Sequence, residues 1–133
     1  MAISTEIKIH DTTFAGKILH EISLSFASEC VLVREIISER VKYEVENYNK
    51  KLPQYFNGLI EPTEAEKTIN GMRMKTKQPI DAEKQVYIAL DAFQRNGYFI
   101  LIDNVQAETL DQEVLLTGDM IVSFVKLTPL VGG

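Results

Sequence analysis

A single cysteine, Cys30, stands in the chain of 133 residues, so no internal disulfide forms and cysteines alone cannot build a zinc site. A reducing compartment suits such a sequence. Nowhere do about 18 apolar residues run together, and residues 1–11 interleave Glu6 and Lys8 with apolar ones instead of forming a signal-peptide core. A soluble cytoplasmic protein without a membrane span is expected. Basic side chains are in the minority, 14 Lys+Arg against 19 Asp+Glu, for a formal charge of -5 and a pI near 5.0. The summed field repels phosphate backbones and anionic lipid, so neither nucleic acid nor membrane is an expected partner. The sequence also lacks a glycine-rich phosphate loop, a nucleophile–base spacing and a metal motif. No enzyme activity, cofactor or metal is expected.

What is present is core material: 45% hydrophobic residues against 25% charged, in a length that fits one domain of the usual ~100–150 residues. From Ile7 the apolar residues alternate. After Thr12-Thr13-Phe14-Ala15-Gly16, Ile18, Ile22, Leu24 and Phe26 continue on one parity, with Ser23 and Ser25 on the other. Period two predicts a hairpin with one buried face, and Gly16 is the residue able to take positive φ in its connection. The period then changes. Val33, Ile37, Val41, Val45 and Tyr48 fall on one face of a helix over about 31–49, which is expected to cover the hairpin. Glu35 and the Lys50-Lys51 pair suit its two ends.

Residues 51–80 break the rhythm with Pro53, Gly58, Pro62, Gly71 and Pro79. Thr63 and Glu66 have capping-box spacing and predict a short helix ending near Asn70-Gly71. Asp81 reads as the N-cap of a second amphipathic helix through Ala82, Val86, Ala89 or Leu90, and Phe93, stopped by Asn96-Gly97. This helix is expected to pack through Val86, Leu90 and Phe93, leaving Lys84 and Gln94 exposed. Tyr98–Ile102 predicts a strand closed by Asp103-Asn104, and a polar connection through Leu110 and Val114 follows. Leu115-Leu116-Thr117-Gly118-Asp119 predicts a turn, and Met120, Val122 and Phe124 alternate into a last strand reaching Lys126.

Several polar clusters have plain structural readings. His10 and His20 are symmetric about residue 15 and could face each other across the hairpin beside Asp11, yet no third soft ligand follows. Cys30 reads as a small buried hydrophobe at a helix start. Glu61, Glu64, Glu66, Asp81 and Glu83 cluster near the expected helix starts, where caps and dipoles account for them. Lys50, Lys51, Lys75, Lys77 and Lys84 read as solvated surface residues.

The order hairpin, helix, crossover, strand, turn, strand, and an apolar tail ending Pro129-Leu130-Val131-Gly132-Gly133 resembles the ubiquitin-like β-grasp proteins. Leu116-Thr117-Gly118-Asp119, the strand over 121–124 and the paired glycines are similar to the sulfur carriers of molybdopterin and thiamine synthesis and to stand-alone bacterial ubiquitin-like modifiers. That resemblance implies a single α+β β-grasp domain over 1–133, a mixed sheet with a covering helix. Within that domain residues 51–97, bearing the second helix, read as an insertion, and the resemblance implies an extended tail over 127–133. It further implies a modifier whose Gly133 carboxylate, preceded by Gly132, is adenylated by an activating enzyme that recognises Leu127, Pro129, Leu130 and Val131. A conjugating enzyme and an isopeptidase are the further partners implied. The alternatives are a carrier forming a C-terminal thiocarboxylate and an interaction or homo-oligomerisation module whose tail is never activated. The insertion and Lys126 depart from the minimal pattern.

Overall fold

The two alternating segments form antiparallel strands β1 (Thr5–Thr12) and β2 (Ile18–Phe26), joined by a turn in which Gly16 has φ 94°. The protein's structure, a computed structural model, describes residues 4–51, 55–56, 59, 65–68, 71–74 and 79–126. A bulge between Asp11 and Thr12 interrupts the β1–β2 register. It pairs Ile18 with Thr12 on the outer face, so Ile18 is 54% exposed while Leu24 and Phe26 are buried. The expectation that Ile18 shares the buried face is thereby corrected, since one extra residue in a strand reverses the parity beyond it.

Strand β3 (Cys30–Leu32) precedes helix α1 (Val33–Lys51) directly, so the helix starts two residues later than its periodicity suggests. The backbone of residues 30–32 is claimed by pairing with β9 (Glu113–Leu115). Glu35 Oε2 accepts the Leu32 N–H at 3.0 Å, the reach-back half of a capping box. Val33, Ile37, Val41, Val45 and Tyr48 are all buried, as their spacing requires.

The remaining elements are β4 (Tyr55–Phe56), β5 (Ala65–Thr68), β6 (Gly71–Met74), helix α2 (Ala82–Gln94), β7 (Tyr98–Ile102), β8 (Val105–Gln106) and β10 (Ile121–Lys126). They fall into two compact units. The first, Met1–Ile36 with Ala92–Gly133, holds a mixed five-stranded sheet in the order β2-β1-β10-β7-β8 and the β3–β9 pair. β1 and β10 are parallel, with Ile9 beside Val122, and every other contact in that sheet is antiparallel. Ile7, Ile9, Val122, Phe124, Tyr98 and Ile100 share its inner face and are buried. Asp103 and Asn104 both have positive φ between β7 and β8, the two-residue turn that such short polar side chains tolerate.

The second unit, Ile37–Asp91, holds most of both helices and a three-stranded sheet in the order β4-β6-β5. The short helix expected after Thr63 is absent: residues 65–68 pair with 71–74 as a hairpin, and Glu66 lies in β5. A helix of two turns is marginal without a packed face, and the Asn70-Gly71 pair read as a helix stop is equally a hairpin signal. Asn49 ties α1 to the chain before α2, its Oδ1 accepting Ile80 N–H at 2.8 Å and its Nδ2 donating to Ile80 O at 3.0 Å. Asp81 Oδ1 accepts the Glu83 and Lys84 N–H groups, the expected N-cap. Gln85, Ala89 and Phe93 form the buried stripe of α2, with Val86 and Leu90 half-buried beside it. At its end Asn96 takes φ 62°, Asn96 N–H donates to Phe93 O and Gly97 N–H to Ala92 O, a Schellman closure with asparagine in the left-handed position.

Burial pushes the Tyr48 phenol up from 10.0. Its neutral form is therefore favoured by folding. That contribution is complete below the unfolded-state pKa and is lost as pH rises through the higher native value, because the unfolded chain releases the proton first. Urea denaturation at about pH 9 to about pH 11 is expected to show the native chain losing stability more steeply than Tyr48→Phe. Parallel curves for the two proteins would refute this.

Candidate functional site

The last described strand, β10, runs in the middle of a sheet. β10 lies between β1 and β7 and is paired on both sides up to Val125; Lys126, the last described residue, sits opposite Tyr98 of β7. Beside that end, Lys126 Nζ is 3.6 Å from Asp11 Oδ2, and Asp11 is only 5% exposed. The Tyr98 ring packs 5.9 Å from Phe124 and 6.0 Å from Phe93. Charge pairing and aromatic packing thus stand together at the end of β10. Leu127, Pro129, Leu130, Val131, Gly132 and Gly133 themselves lie outside the described residues.

The Leu116-Thr117-Gly118-Asp119 stretch delivers the chain into β10. Leu116 is buried and donates its N–H to Glu29 O at 2.7 Å, while Met120 N–H closes the turn on Thr117 O at 3.1 Å. Gly118 has open space where a Cβ would stand, and Gly16 is the glycine with positive φ among those described. The turn therefore does not demand glycine at 118.

The histidines do not face each other. His10 is paired with Glu21 and His20 with Asp11, so alternation sends the two rings to opposite faces of the sheet. The symmetric numbering about residue 15 failed by one position, because the connection is not centred there. His10 is buried on the outer face, and its Nε2 lies 2.7 Å from Glu21 Oε2. Beside it in the parallel register stands Ser123, and beyond that Leu101. These side chains, with Thr12, Ile18 and Ile121, line a shallow groove of about 360 Å³. It offers an imidazole, two hydroxyls and the Asp103-Asn104 turn beside branched aliphatics, a surface able to take a small mixed polar and apolar group. Sequence reasoning missed the groove because its residues come from four strands, and only the register brings them together.

Cys30 is exposed in β3 opposite Leu115 rather than buried at a helix start, because α1 begins three residues further on. Among the described residues no group of three or more His, Cys, Asp or Glu side chains could hold a metal ion. No described helix is long and apolar enough to cross a membrane. Lys50 and Lys84 are exposed, Lys50 Nζ lying 3.5 Å from Glu46 Oε1, whereas the side chains of Lys51, Lys75 and Lys77 lie outside the described residues.

Comparison with known proteins gives no family: no family model, no curated protein and no solved structure matches this chain.

Proposed function

We propose that the protein is a ubiquitin-like β-grasp modifier, with Gly133 as the acyl donor. The observation that supports this reading is the sheet order β2-β1-β10-β7-β8. A parallel pair of first and last strands at the centre is the arrangement a β-grasp requires. Leu116-Thr117-Gly118-Asp119 before that strand and Gly132-Gly133 after it add the sequence side of the case.

The chemistry follows from the end group, with Gly133 taken as the mature terminus. A carboxylate is a poor acyl donor until its oxygen is made a leaving group. Attack of the Gly133 carboxylate on the α-phosphate of ATP expels pyrophosphate and forms the acyl-adenylate. A cysteine thiolate of the activating enzyme then displaces AMP, and a target amine displaces the thiolate to leave an amide. Two glycines without Cβ atoms pass a narrow channel into the adenylation site. Pro129 prestiffens the approach, and Leu127, Leu130 and Val131 supply apolar anchors.

The experiment is an intact-mass and C-terminal-peptide measurement after incubating the chain with ATP and extract of the cells that produce it. An adenylate, a thioester, or Gly133 amide-linked to a lysine of another protein is the expected product. A thiocarboxylate would assign the sulfur-carrier reaction instead. An unaltered C-terminus in active extract would overturn activation altogether.

A further inference from the structure

In the five-stranded sheet β2 has β1 on one side and no described strand on the other. Edge strands are usually protected by charge, proline or a bulge, because an open row of N–H and C=O groups templates pairing with another chain. In β2 those devices are confined to the first half, where the bulge, His20 and Glu21 lie. Over Ile22-Ser23-Leu24-Ser25-Phe26 the edge carries no charge, proline or glycine and alternates cleanly. The same hairpin bears Phe14, Ile18 and Leu19, which are 77%, 54% and 45% exposed.

We propose that β2 pairs antiparallel with β2 of a second copy of this chain, joining two five-stranded sheets edge to edge about a two-fold axis. The strand is self-complementary in that register. With the axis at Ser23, Ser23 faces its own copy, Ile22 faces Leu24, Glu21 faces Ser25 and His20 faces Phe26. Serines then meet on the outer face, aliphatics on the inner face, and no like charges stand opposite one another. The charge of Glu21 is already directed to His10, 2.7 Å away within its own sheet. An isologous contact of this kind closes on itself as a dimer and does not grow into a filament. One strand edge alone falls short of the ~1,200 Å² that stable interfaces bury, so Phe14, Ile18 and Leu19 supply the added apolar area and the dimer forms reversibly with concentration. The inference stands apart from the chemistry of the tail.

The test is sedimentation velocity on the full chain from about 10 µM to about 500 µM, with hydrogen exchange measured at both ends of that range. The mass is expected to rise from 15.1 kDa toward twice that value. Exchange of the Ile22–Phe26 amides should slow in step. Ser23 is exposed, so Ser23→Lys should keep the native circular dichroism, and Ser25 is left unchanged because Glu21 of the second copy stands opposite it. The substitution sets like charges across the axis and should weaken the dimer about tenfold or more. A monomer at every concentration overturns the proposal, as does a dimer indifferent to that substitution or one protected at another surface. A monomer that takes up an unrelated alternating peptide at β2 would assign the edge to a foreign strand and equally overturn self-pairing.

Discussion

Deleting Gly132 and Gly133 is expected to abolish ATP-dependent transfer while leaving the melting temperature within about 2 °C of the intact chain. The two outcomes separate because fold and chemistry depend on different residues. The last ladder contacts of β10 are Val125 with Phe99 and Lys126 with Tyr98, and the inner-face packing of Phe124 lies before them. Residues 132 and 133 come after all of these. In the proposed modifier reaction, in contrast, the acyl donor is the terminal carboxylate itself. Gly132→Ala keeps that carboxylate but adds a Cβ where the path into the adenylation site is narrow, so transfer should fall about tenfold or more, a barrier change of ~1.4 kcal/mol. Leu130→Asp should weaken binding of the activating enzyme by about 2 kcal/mol through loss of an apolar anchor. Gly118→Ala is the control, because a methyl group there meets open space and transfer should be unaffected. The readings are the amount of adenylate by mass spectrometry and the thermal midpoint by calorimetry. Equal transfer from the chain lacking both glycines would remove the tail from the mechanism.

Legibility of the fold followed the range of the forces that make it. The hairpin, both amphipathic helices, the caps at Asp81 and Asn96 and the strand Tyr98–Ile102 depend on side chains within one or two turns of each other, and their periods are visible in the sequence. Two of the strands that escaped notice, Cys30–Leu32 and Glu113–Leu115, are three residues each and exist because they pair with each other across more than eighty positions. The same limit explains the histidines: a parity argument carries along one strand, but a one-residue error in the centre of a turn moves a ring to the other face. It also explains Ile18, whose exposure follows from a bulge that no local pattern announces. The groove around His10 and Ser123 lay beyond sequence reasoning for the same reason, being a product of register between β1 and β10.

A single substitution in the second unit, Glu44→Gln, is expected to cost about 3 kcal/mol, more than any surface change elsewhere. Arg40 is 1% exposed, and its Nε lies 2.6 Å from Glu44 Oε1 one helical turn away. The other carboxylate oxygen accepts the Leu59 N–H at 2.7 Å, so one side chain both compensates a buried guanidinium and holds the chain beyond α1. Glutamine preserves the shape, but its single amide oxygen accepts from Leu59 or from Arg40 Nε and not from both, so the substitution removes the charge and one hydrogen bond together. The guanidinium cannot respond by losing its proton, because arginine stays charged in proteins. Arg40→Met should cost less: the carboxylate it leaves behind is 14% exposed, against 2% for the arginine side chain, and reaches water more readily. Replacing both, Arg40→Met with Glu44→Leu, should be milder than Glu44→Gln, although the Leu59 N–H then lacks its acceptor at a cost of about 1–3 kcal/mol. Urea denaturation reads the order directly, since 3 kcal/mol moves the midpoint by roughly 1.5–2 M at a slope near ~1.5–2 kcal/mol/M. An arginine variant as destabilised as Glu44→Gln would show that packing of the arginine stem, rather than compensation of its charge, is what the pair contributes.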